Sequence, residues 1–293
     1  MTVTLMTINN VESCKIISRP SKISKTPYVA DIILNKDVDN EIIYQAHSPS
    51  LGCCGLCEKE CNVLIYPLEN KTKKAICSYR IFMTETEEEE KEYIGYIGIE
   101  PKIAENLVEK ALVNNCFSKL QNVIYYKREV KILNSRFDYA GIDENNNTFI
   151  LEVKNVPLAD YADVTSKERK TMNFENKNFD DKISYFPDGY RKKKGDLVSE
   201  RAYKHINELM EIKKACKNTH LQETRCILCF VIQRDDVSSF QASNLDPIYQ
   251  EAFINANKNG VEIFTLVTSW NYNDKLKIAE CKFIKDNLKI NNF

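Results

Sequence analysis

The chain has 293 residues, 43% of them hydrophobic and 28% charged, which is the composition of a globular protein with ample core for one large domain or two ordinary ones. Its formal net charge is −1, so no global field attracts it to nucleic acid, and any nucleic-acid site has to be a local basic patch. No apolar stretch approaches the roughly 20 residues that span a bilayer, which excludes a helical membrane protein.

The first part of the chain has the pattern of a small β domain. Its N-terminus, MTVTLMTINN, lacks the basic start and apolar block of a signal peptide, so we expect an intracellular, cytoplasmic protein with no membrane partner. Short β-like runs at residues 28–34, 41–46, 62–67 and 75–83, separated by turn residues, predict a barrel or sandwich over residues 1–84. The glutamate run that follows favours a solvated acidic linker over residues 85–100.

The 11 cysteines are an odd number in a chain without an export signal, which argues against a disulfide framework. Cys54, Cys57 and Cys61, with Cys77 downstream, offer enough thiols for a structural Zn²⁺ site. Free cysteines in a turn are the alternative.

Residues 101–293 have the pattern of an α/β domain. Helical spacing after Pro101, around residues 202–210 and over 246–259 predicts three helices. Strand-like runs at 122–133, 226–233 and 261–267, together with a hairpin, give the order α-β-β-β-α-β-α-β, which is typical of a mixed sheet flanked by helices. Residues 160–185 are rich in Lys, Asn, Asp and Glu and predict an inserted, mobile loop or partly ordered lid.

The hairpin lies between residues 135 and 156, where two apolar runs flank the polar cluster DENNN. If its loop is centred on Asn145, residues whose numbers sum to 290 stand opposite each other, so Asp138 faces Glu152. Glu152 and Lys154 share a face because side chains alternate along a strand. Two facing carboxylates are destabilising unless a divalent cation lies between them, and hard oxygen ligands suit Mg²⁺ or Mn²⁺. Ordinary solvent-facing hairpin residues are the alternative.

Several segments along nearly the whole chain, in one order, carry a family resemblance. They are SRPSK, YVADI, AHSPSLGC, SRFDY, LEVKNV, FPD, SERAYKHINEL, FVIQRDD and DPIYQEAF. With these segments the chain closely resembles the sugar fermentation stimulation protein family, and the D-x13-E-x-K spacing from Asp138 to Lys154 fits the relaxed PD-(D/E)XK nuclease pattern. The resemblance implies an α/β (α+β) protein: an N-terminal OB-fold-like β-barrel followed by a PD-(D/E)XK, restriction-endonuclease-like domain with a mixed sheet flanked by helices.

The resemblance also implies a metal-dependent endonuclease. Asp138 and Glu152 would hold Mg²⁺ or Mn²⁺ with the carbonyl oxygen of Val153, and Lys154 would place or deprotonate the attacking water. A helical glutamate often assists the metal in that fold, and Glu109 is the expected one, with Glu129 as the alternative. We expect hydrolysis of DNA or RNA phosphodiesters, DNA favoured, with little sequence specificity. A non-catalytic DNA-binding regulatory protein that retains the nuclease fold is the alternative, and a homodimer is left open.

Basic side chains predict where nucleic acid is bound, through sequence-independent and salt-sensitive phosphate contacts. Strand ends in α/β sheets commonly border clefts, which adds the glutamine that ends the buried strand 226–233. Solvated surface charges are the alternative reading of the basic run. The candidates are Arg19, Lys22, His47 and Arg80 in the first domain, and Arg191, Lys192, Lys193, Lys194, Arg201, Lys204 and Gln233 in the second.

Overall fold

The computed structural model describes residues 3–40, 42–48, 55–69, 76–88, 93–187, 196–218 and 224–293. The strands are β1 (Thr4–Asn9), β2 (Glu12–Ser18), β3 (Val29–Leu34), β4 (Ile43–His47), β5 (Asn62–Pro67), β6 (Tyr79–Glu88), β7 (Tyr93–Gly98), β8 (Val123–Ile132), β9 (Ser135–Asp143), β10 (Thr148–Asn155), β11 (Ala159–Asp160), β12 (Lys182–Phe186), β13 (Arg225–Ile232), β14 (Val237–Ala242), β15 (Glu262–Asn273), β16 (Ile278–Lys285) and β17 (Lys289–Ile290). The helices are α1 (Pro101–Val113), α2 (Ser166–Arg169), α3 (Glu200–Asn218) and α4 (Pro247–Lys258), with 3-10 helices at Asn35–Asn40 and Phe179–Asp181. In these ranges no helix is both long enough and apolar enough to cross a membrane.

The N-terminal unit is a small β-barrel. Its strands follow the order β4-β3-β2-β5-β6-β7, and a parallel pairing of His47 with Arg80 joins β4 to β6 and closes a five-stranded barrel. Alternate residues such as Ile16, Ile32 and Val63 point inward and form a core of their own. The expected OB-fold-like barrel is confirmed.

The second unit is built on a seven-stranded mixed sheet with the order β1-β16-β15-β13-β10-β9-β8. Strands β10, β13 and β15 are parallel and lie at the centre, where residues 226–232 of β13 are all buried, as expected for a strand covered on both faces. Helix α1 and the barrel pack on one face, and α3 and α4 pack on the other. The expected mixed sheet flanked by helices is confirmed.

The organisation of the chain differs from the expectation in three respects. Strand β1, inside the expected domain 1–84, pairs with β16 of the large sheet. The expected acidic linker over 85–100 is a hairpin instead, because β6 continues to Glu88 and pairs with β7. The predicted strand 261–267 is not the last one, since β16 and β17 follow it. The glutamates did not reveal this hairpin, in which Thr84, just before the glutamate run, and its partner Ile97 are both buried.

Residues 160–185 form secondary structure of their own instead of a mobile loop. Strands β11, β12, β14 and β17 make a separate four-stranded sheet. The buried carboxylate of Asp163 accepts hydrogen bonds from the Gln241 side chain at 3.0 Å and the Ser243 hydroxyl at 3.1 Å. Lys182 forms an ion pair with Asp236 at 2.7 Å. The segment looks like a loop in sequence because its polar residues bind buried polar partners that lie far away in the chain.

Candidate active site

A cleft of about 300 Å³ opens where the carboxyl end of β10 meets the first turns of α1 and α3. Clefts of α/β domains commonly lie at strand ends of this kind. The polar side chains that line it are Glu105, Asp138, Glu152, Lys154, Asn155, Ser199 and Arg201.

Strands β9 and β10 form the predicted hairpin in the predicted register. Thr148 pairs with Ile142, and the pairing runs on to Leu151 and Tyr139, so the residue numbers sum to 290. The loop is fixed by Asp143, whose Oδ1 accepts hydrogen bonds from two backbone N–H groups of the turn at 2.9 Å each.

The ladder between β8 and β9 is interrupted at Asp138. Its register partner Glu129 has a φ of 54°, a left-handed value that is uncommon for a residue other than glycine. Phe137 and Tyr139 pack into the cores on opposite faces of the sheet, although residues two apart on a regular strand share a face. Such irregularities are common beside active sites, where they redirect a side chain. Asp138 itself lines the cleft, and its Oδ2 accepts a hydrogen bond from the Val153 N–H at 2.7 Å.

Asp138 stands where its charged form is disfavoured. Burial and the neighbouring carboxylate of Glu152 raise its pKa to about 7, and the Val153 amide and Lys154 offset that rise only in part. Near neutral pH the carboxyl group is therefore close to half protonated. A cation in the cleft would favour the ionised form.

Glu152 is buried as well, but cationic and donor groups balance its charge. Its Oε1 accepts hydrogen bonds from Lys154 Nζ at 2.5 Å and from Nδ1 of His205 on α3. Burial alone would raise the pKa of Glu152, yet Lys154 and His205 bring that pKa below its ordinary value. The other oxygen, Oε2, is buried and has no hydrogen-bond partner among the residues that the structure describes. A carboxylate oxygen left in this state is a ready ligand for a cation.

These two carboxylates fit a hard divalent cation. Mg²⁺ is commonly held by one or two carboxylates and completes its coordination with water and substrate oxygens. Within the described part of the chain, no three His, Cys, Asp or Glu side chains gather into a metal-binding group. A cation at Asp138 and Glu152 would therefore need backbone, water or substrate oxygens as its remaining ligands.

The glutamate of α1 that reaches the cleft is Glu105, not Glu109. Glu109 lies one turn further along the helix, where its carboxylate pairs with Arg128 at 2.8 Å and accepts from the Tyr126 hydroxyl at 3.1 Å. Only the first turns of α1 face the end of β10, which is why the earlier glutamate is the one at the cleft. Glu129, the alternative, lies in surface ion pairs and does not line the cleft.

Two of the barrel residues predicted to bind nucleic acid differ in exposure. The side chain of Arg19 is only 4% exposed, and its guanidinium donates to two backbone carbonyl groups at 3.1 and 3.3 Å. Arg19 therefore braces a barrel loop, and its predicted phosphate contact is wrong. Lys22 is exposed to solvent and stays a candidate.

His47 and Arg80 are neighbours across the pairing that closes the barrel, and both are half-buried. Arg80 lies 3.7 Å from Glu100, the N-cap residue of α1, and so connects the barrel to the helix that borders the cleft. Burial and Arg80 lower the pKa of His47, so its ring is neutral at neutral pH. Arg80 remains a candidate for a phosphate contact, whereas His47 could offer only neutral hydrogen bonds.

The residues of the second domain that were predicted to bind nucleic acid also differ in exposure. Arg191, Lys192, Lys193 and Lys194 lie outside the described residues. Arg201 lines the cleft, and Lys204, one turn further along α3, is exposed and donates to the Asn134 carbonyl at 2.8 Å. Gln233 is fully buried beneath strand β7, so its predicted contact with nucleic acid is wrong.

The cysteines give little support to a zinc site. Cys54 lies outside the described residues. Burial raises the pKa of Cys57, whose thiol lies 3.6 Å from the Ser48 hydroxyl, while Cys61 donates to a backbone carbonyl at 3.1 Å. Cys77 is buried, and burial raises its pKa too. Among the described residues, these thiols belong to no group of three or more metal-binding side chains.

His205 contacts Glu152, and the sequence pattern did not predict this contact. It lies 53 residues after Glu152 and carries no motif of its own, and a lone helical histidine is usually a packing residue. In the structure its ring contacts both the Glu152 carboxylate and, at 5.9 Å between centroids, the Phe137 ring. The signal available in sequence was its position on the buried face of the predicted helix, next to Ile206 and Leu209.

Comparison with known proteins identifies the family of this chain. Residues 102–274 match the family model described as the sugar fermentation stimulation protein RE domain. A sugar fermentation stimulation protein homolog of Clostridium perfringens strain SM101 is 31% identical over 250 residues, which cover 84% of this chain and 86% of that protein. The homolog of Clostridium novyi is 28% identical over 261 residues, covering 88% and 91%. The solved structure of Pyrococcus furiosus SfsA in complex with Ca²⁺ has the same fold, with a TM-score of 0.69 over 98% of this chain and 99% of that chain at 17% identity. This chain belongs to the sugar fermentation stimulation protein family.

Proposed function

We propose that this protein binds nucleic acid and hydrolyses phosphodiester bonds with Mg²⁺ or Mn²⁺, with little sequence specificity and with DNA favoured over RNA. The observation that carries the proposal is the placement of Asp138, Glu152 and Lys154 in one cleft at the end of β10. The raised pKa of Asp138 and the unpartnered Oε2 of Glu152 support the proposal, because a divalent cation would stabilise the ionised carboxylates and supply a partner for that oxygen. The Ca²⁺ in the relative from Pyrococcus furiosus is an ion of the same hard, divalent class.

Each residue of the set has a distinct part. Asp138 and Glu152, with the carbonyl oxygen of Val153, would hold the cation, and Glu105 offers a further acceptor on the facing wall. When bound, the cation polarises the phosphodiester and lowers the pKa of a water molecule. Lys154 projects into the cleft from the strand that carries Glu152, where its ammonium group places the attacking water and offsets charge on the phosphate oxygens.

Binding would rest on phosphate contacts around the cleft. Arg201 and Lys204 lie in the first two turns of α3, whose N-terminal N–H groups also favour an anion, and the basic run 191–194 precedes this helix in the chain. Arg80 and Lys22 would extend the contact to the barrel. Affinity based on phosphates should fall steeply as salt is added and depend little on sequence.

The test is cleavage of supercoiled plasmid, of a single DNA strand and of an RNA strand of the same sequence, each with Mg²⁺ or Mn²⁺. The wild type should nick or cut DNA, and Asp138→Asn and Lys154→Met should each lower the rate by about 100-fold or more. Glu129→Gln is the matched control, because it removes an exposed carboxylate outside the cleft, and it should leave the rate unchanged. Cleavage by Asp138→Asn at the wild-type rate would contradict the catalytic assignment.

A nucleic-acid-binding protein without turnover is the second candidate. It is favoured by the contacts of Glu152, whose charge Lys154 and His205 already balance without a metal. This function predicts salt-sensitive binding to DNA, no cleavage with any divalent cation, and the same affinity in Asp138→Asn as in the wild type.

A further inference from the structure

We propose that the side-chain amide of Asn155 donates a hydrogen bond to a phosphate oxygen of the bound strand, and that a buried relay through Gln233 and Trp270 fixes its direction. The inference rests on the proposed function, since Asn155 follows Lys154 on β10 and lines the same cleft.

The relay begins at the indole of Trp270 on β15. An indole N–H can only donate, and Nε1 lies 3.0 Å from the side-chain amide of Gln233, so the oxygen of that amide has to face it. Gln233 then presents its NH₂ group to Asn155, with 2.8 Å between Gln233 Nε2 and Asn155 Oδ1. Either amide alone could be turned end for end, but the indole selects one orientation for both.

The relay is held rigidly by the barrel. Gln233 is fully buried, and its backbone carbonyl accepts from the Gly98 N–H of β7 at 3.0 Å. The barrel backbone approaches so closely that a Cβ added at Gly98 would lie 2.2 Å from Gln233 Oε1. Trp270 is 5% exposed and packs edge-on against Phe82 of β6 at 5.8 Å. Gln233 and Trp270 are therefore both closely packed.

The free end of the relay is Nδ2 of Asn155. Its oxygen is engaged by Gln233, while Nδ2 makes no hydrogen bond to any residue in the described ranges. Asn155 is half-buried and lines the cleft. The relay therefore delivers a neutral N–H donor, in a fixed direction, to the cleft that Lys154 also lines.

The orientation of the Asn155 side-chain amide determines which kind of ligand it can bind. An NH₂ group cannot coordinate a cation, and the amide oxygen that could do so is turned towards Gln233, so the group that Asn155 leaves for a ligand of the cleft is a donor. Its partner has to be an acceptor, and in a cleft that Lys154 and Arg201 also line the acceptor that fits is a phosphate oxygen of the substrate backbone. Asn155 would thus contact substrate, and Gln233 and Trp270 would act as positioning residues.

The test measures binding of a fluorescein-labelled DNA 12-mer by anisotropy without divalent cations, and cleavage of the same strand with Mn²⁺. Asn155→Asp keeps the acceptor for Gln233 but replaces the donor at the cleft by a carboxylate oxygen, so affinity should fall by about 10-fold or more. Mn²⁺ binding, followed by calorimetry, should not weaken, because Asn155 does not touch the metal and the new carboxylate only adds negative charge to the cleft. Wild-type affinity for the strand in Asn155→Asp overturns the inference, whether or not the protein cleaves. If Asp138→Asn loses cleavage while Asn155→Asp binds the strand with wild-type affinity, the proposed function stands and the role of Asn155 is refuted.

The relay has a separate test that does not change Asn155. Trp270→Phe keeps an aromatic ring but removes the N–H group, so Gln233 can turn over and affinity should fall by about threefold. In the Asn155→Asp background, Trp270→Phe should lower the affinity for the strand no further, because the N–H donor that Trp270 orients is already absent. Additive losses would show that Trp270 acts only on general stability, and would overturn the relay.

Discussion

Replacing Asp138 by asparagine should abolish cleavage and, at the same time, stabilise the fold at high pH. The pKa of Asp138 is about 7 in the folded protein against an ordinary value of 3.8, so the folded protein binds this proton more tightly than the unfolded chain does. The stability contributed by the protonated group is fully present below the unfolded pKa and is lost as the pH rises through the folded one.

The size of the effect follows from that shift. One pKa unit corresponds to about 1.4 kcal/mol, so the full loss comes to about 4 kcal/mol. Asparagine still offers an oxygen to the Val153 N–H but never ionises. Its gain in the free energy of unfolding over the wild type should therefore grow from below about 1 kcal/mol near pH 4 to about 4 kcal/mol near pH 8.

The assay is urea unfolding at several pH values, followed by the fluorescence of Trp270, the only tryptophan of the chain and a buried one. Glu129→Gln serves as the control for a carboxylate lost at the surface. Added Mn²⁺ near pH 8 should stabilise the wild type more than Asp138→Asn, since only the wild type keeps both carboxylates. A gain that does not grow with pH would refute the reasoning about the burial of Asp138.

Two further changes probe the surroundings of the cleft. Gly98→Ala should lower the free energy of unfolding by about 1–3 kcal/mol in the same urea assay. The new Cβ would meet the Gln233 side chain, which is held by hydrogen bonds to Asn155 and Trp270. An unchanged unfolding midpoint would show that β7 can move away. His205→Ala should weaken Mn²⁺ binding by about 10- to 100-fold in calorimetry. The reason is that Glu152 loses the side chain that orients its carboxylate and lowers its pKa. Wild-type Mn²⁺ affinity in this variant would mean that Lys154 alone positions the carboxylate.

The hairpin could be predicted from the sequence because everything that determines it is local. Alternating apolar residues and one polar loop set its register, and the register brings Asp138 and Glu152 together. The helix that carries Glu105 and Glu109 was equally clear, but periodicity does not say which turn of a helix lies against the end of a strand. For that reason the sequence favoured Glu109, whereas Glu105 is the glutamate that lines the cleft.

The remaining errors come from contacts between distant parts of the chain. Gln233 looked like a strand-end residue at a cleft, and only the packing of β7 over it shows that it is buried. Arg19 looked like a surface cation, because the backbone carbonyl groups that satisfy it belong to other loops. His205, a partner of Glu152, is separated from it by 53 residues of the chain, which include β11 and β12.

The pairing of β1 with β16 makes the barrel an insertion between two parts of one larger sheet. The chain leaves that sheet at β1, builds the barrel, and returns at α1, so the barrel is tethered at two points and cannot swing about either of them alone. During synthesis β1 is made before the barrel, but its partner strand β16 is made only after the barrel and most of the larger sheet. The outer edge of the sheet should therefore close last, and the barrel should acquire its final orientation towards the cleft only at that stage.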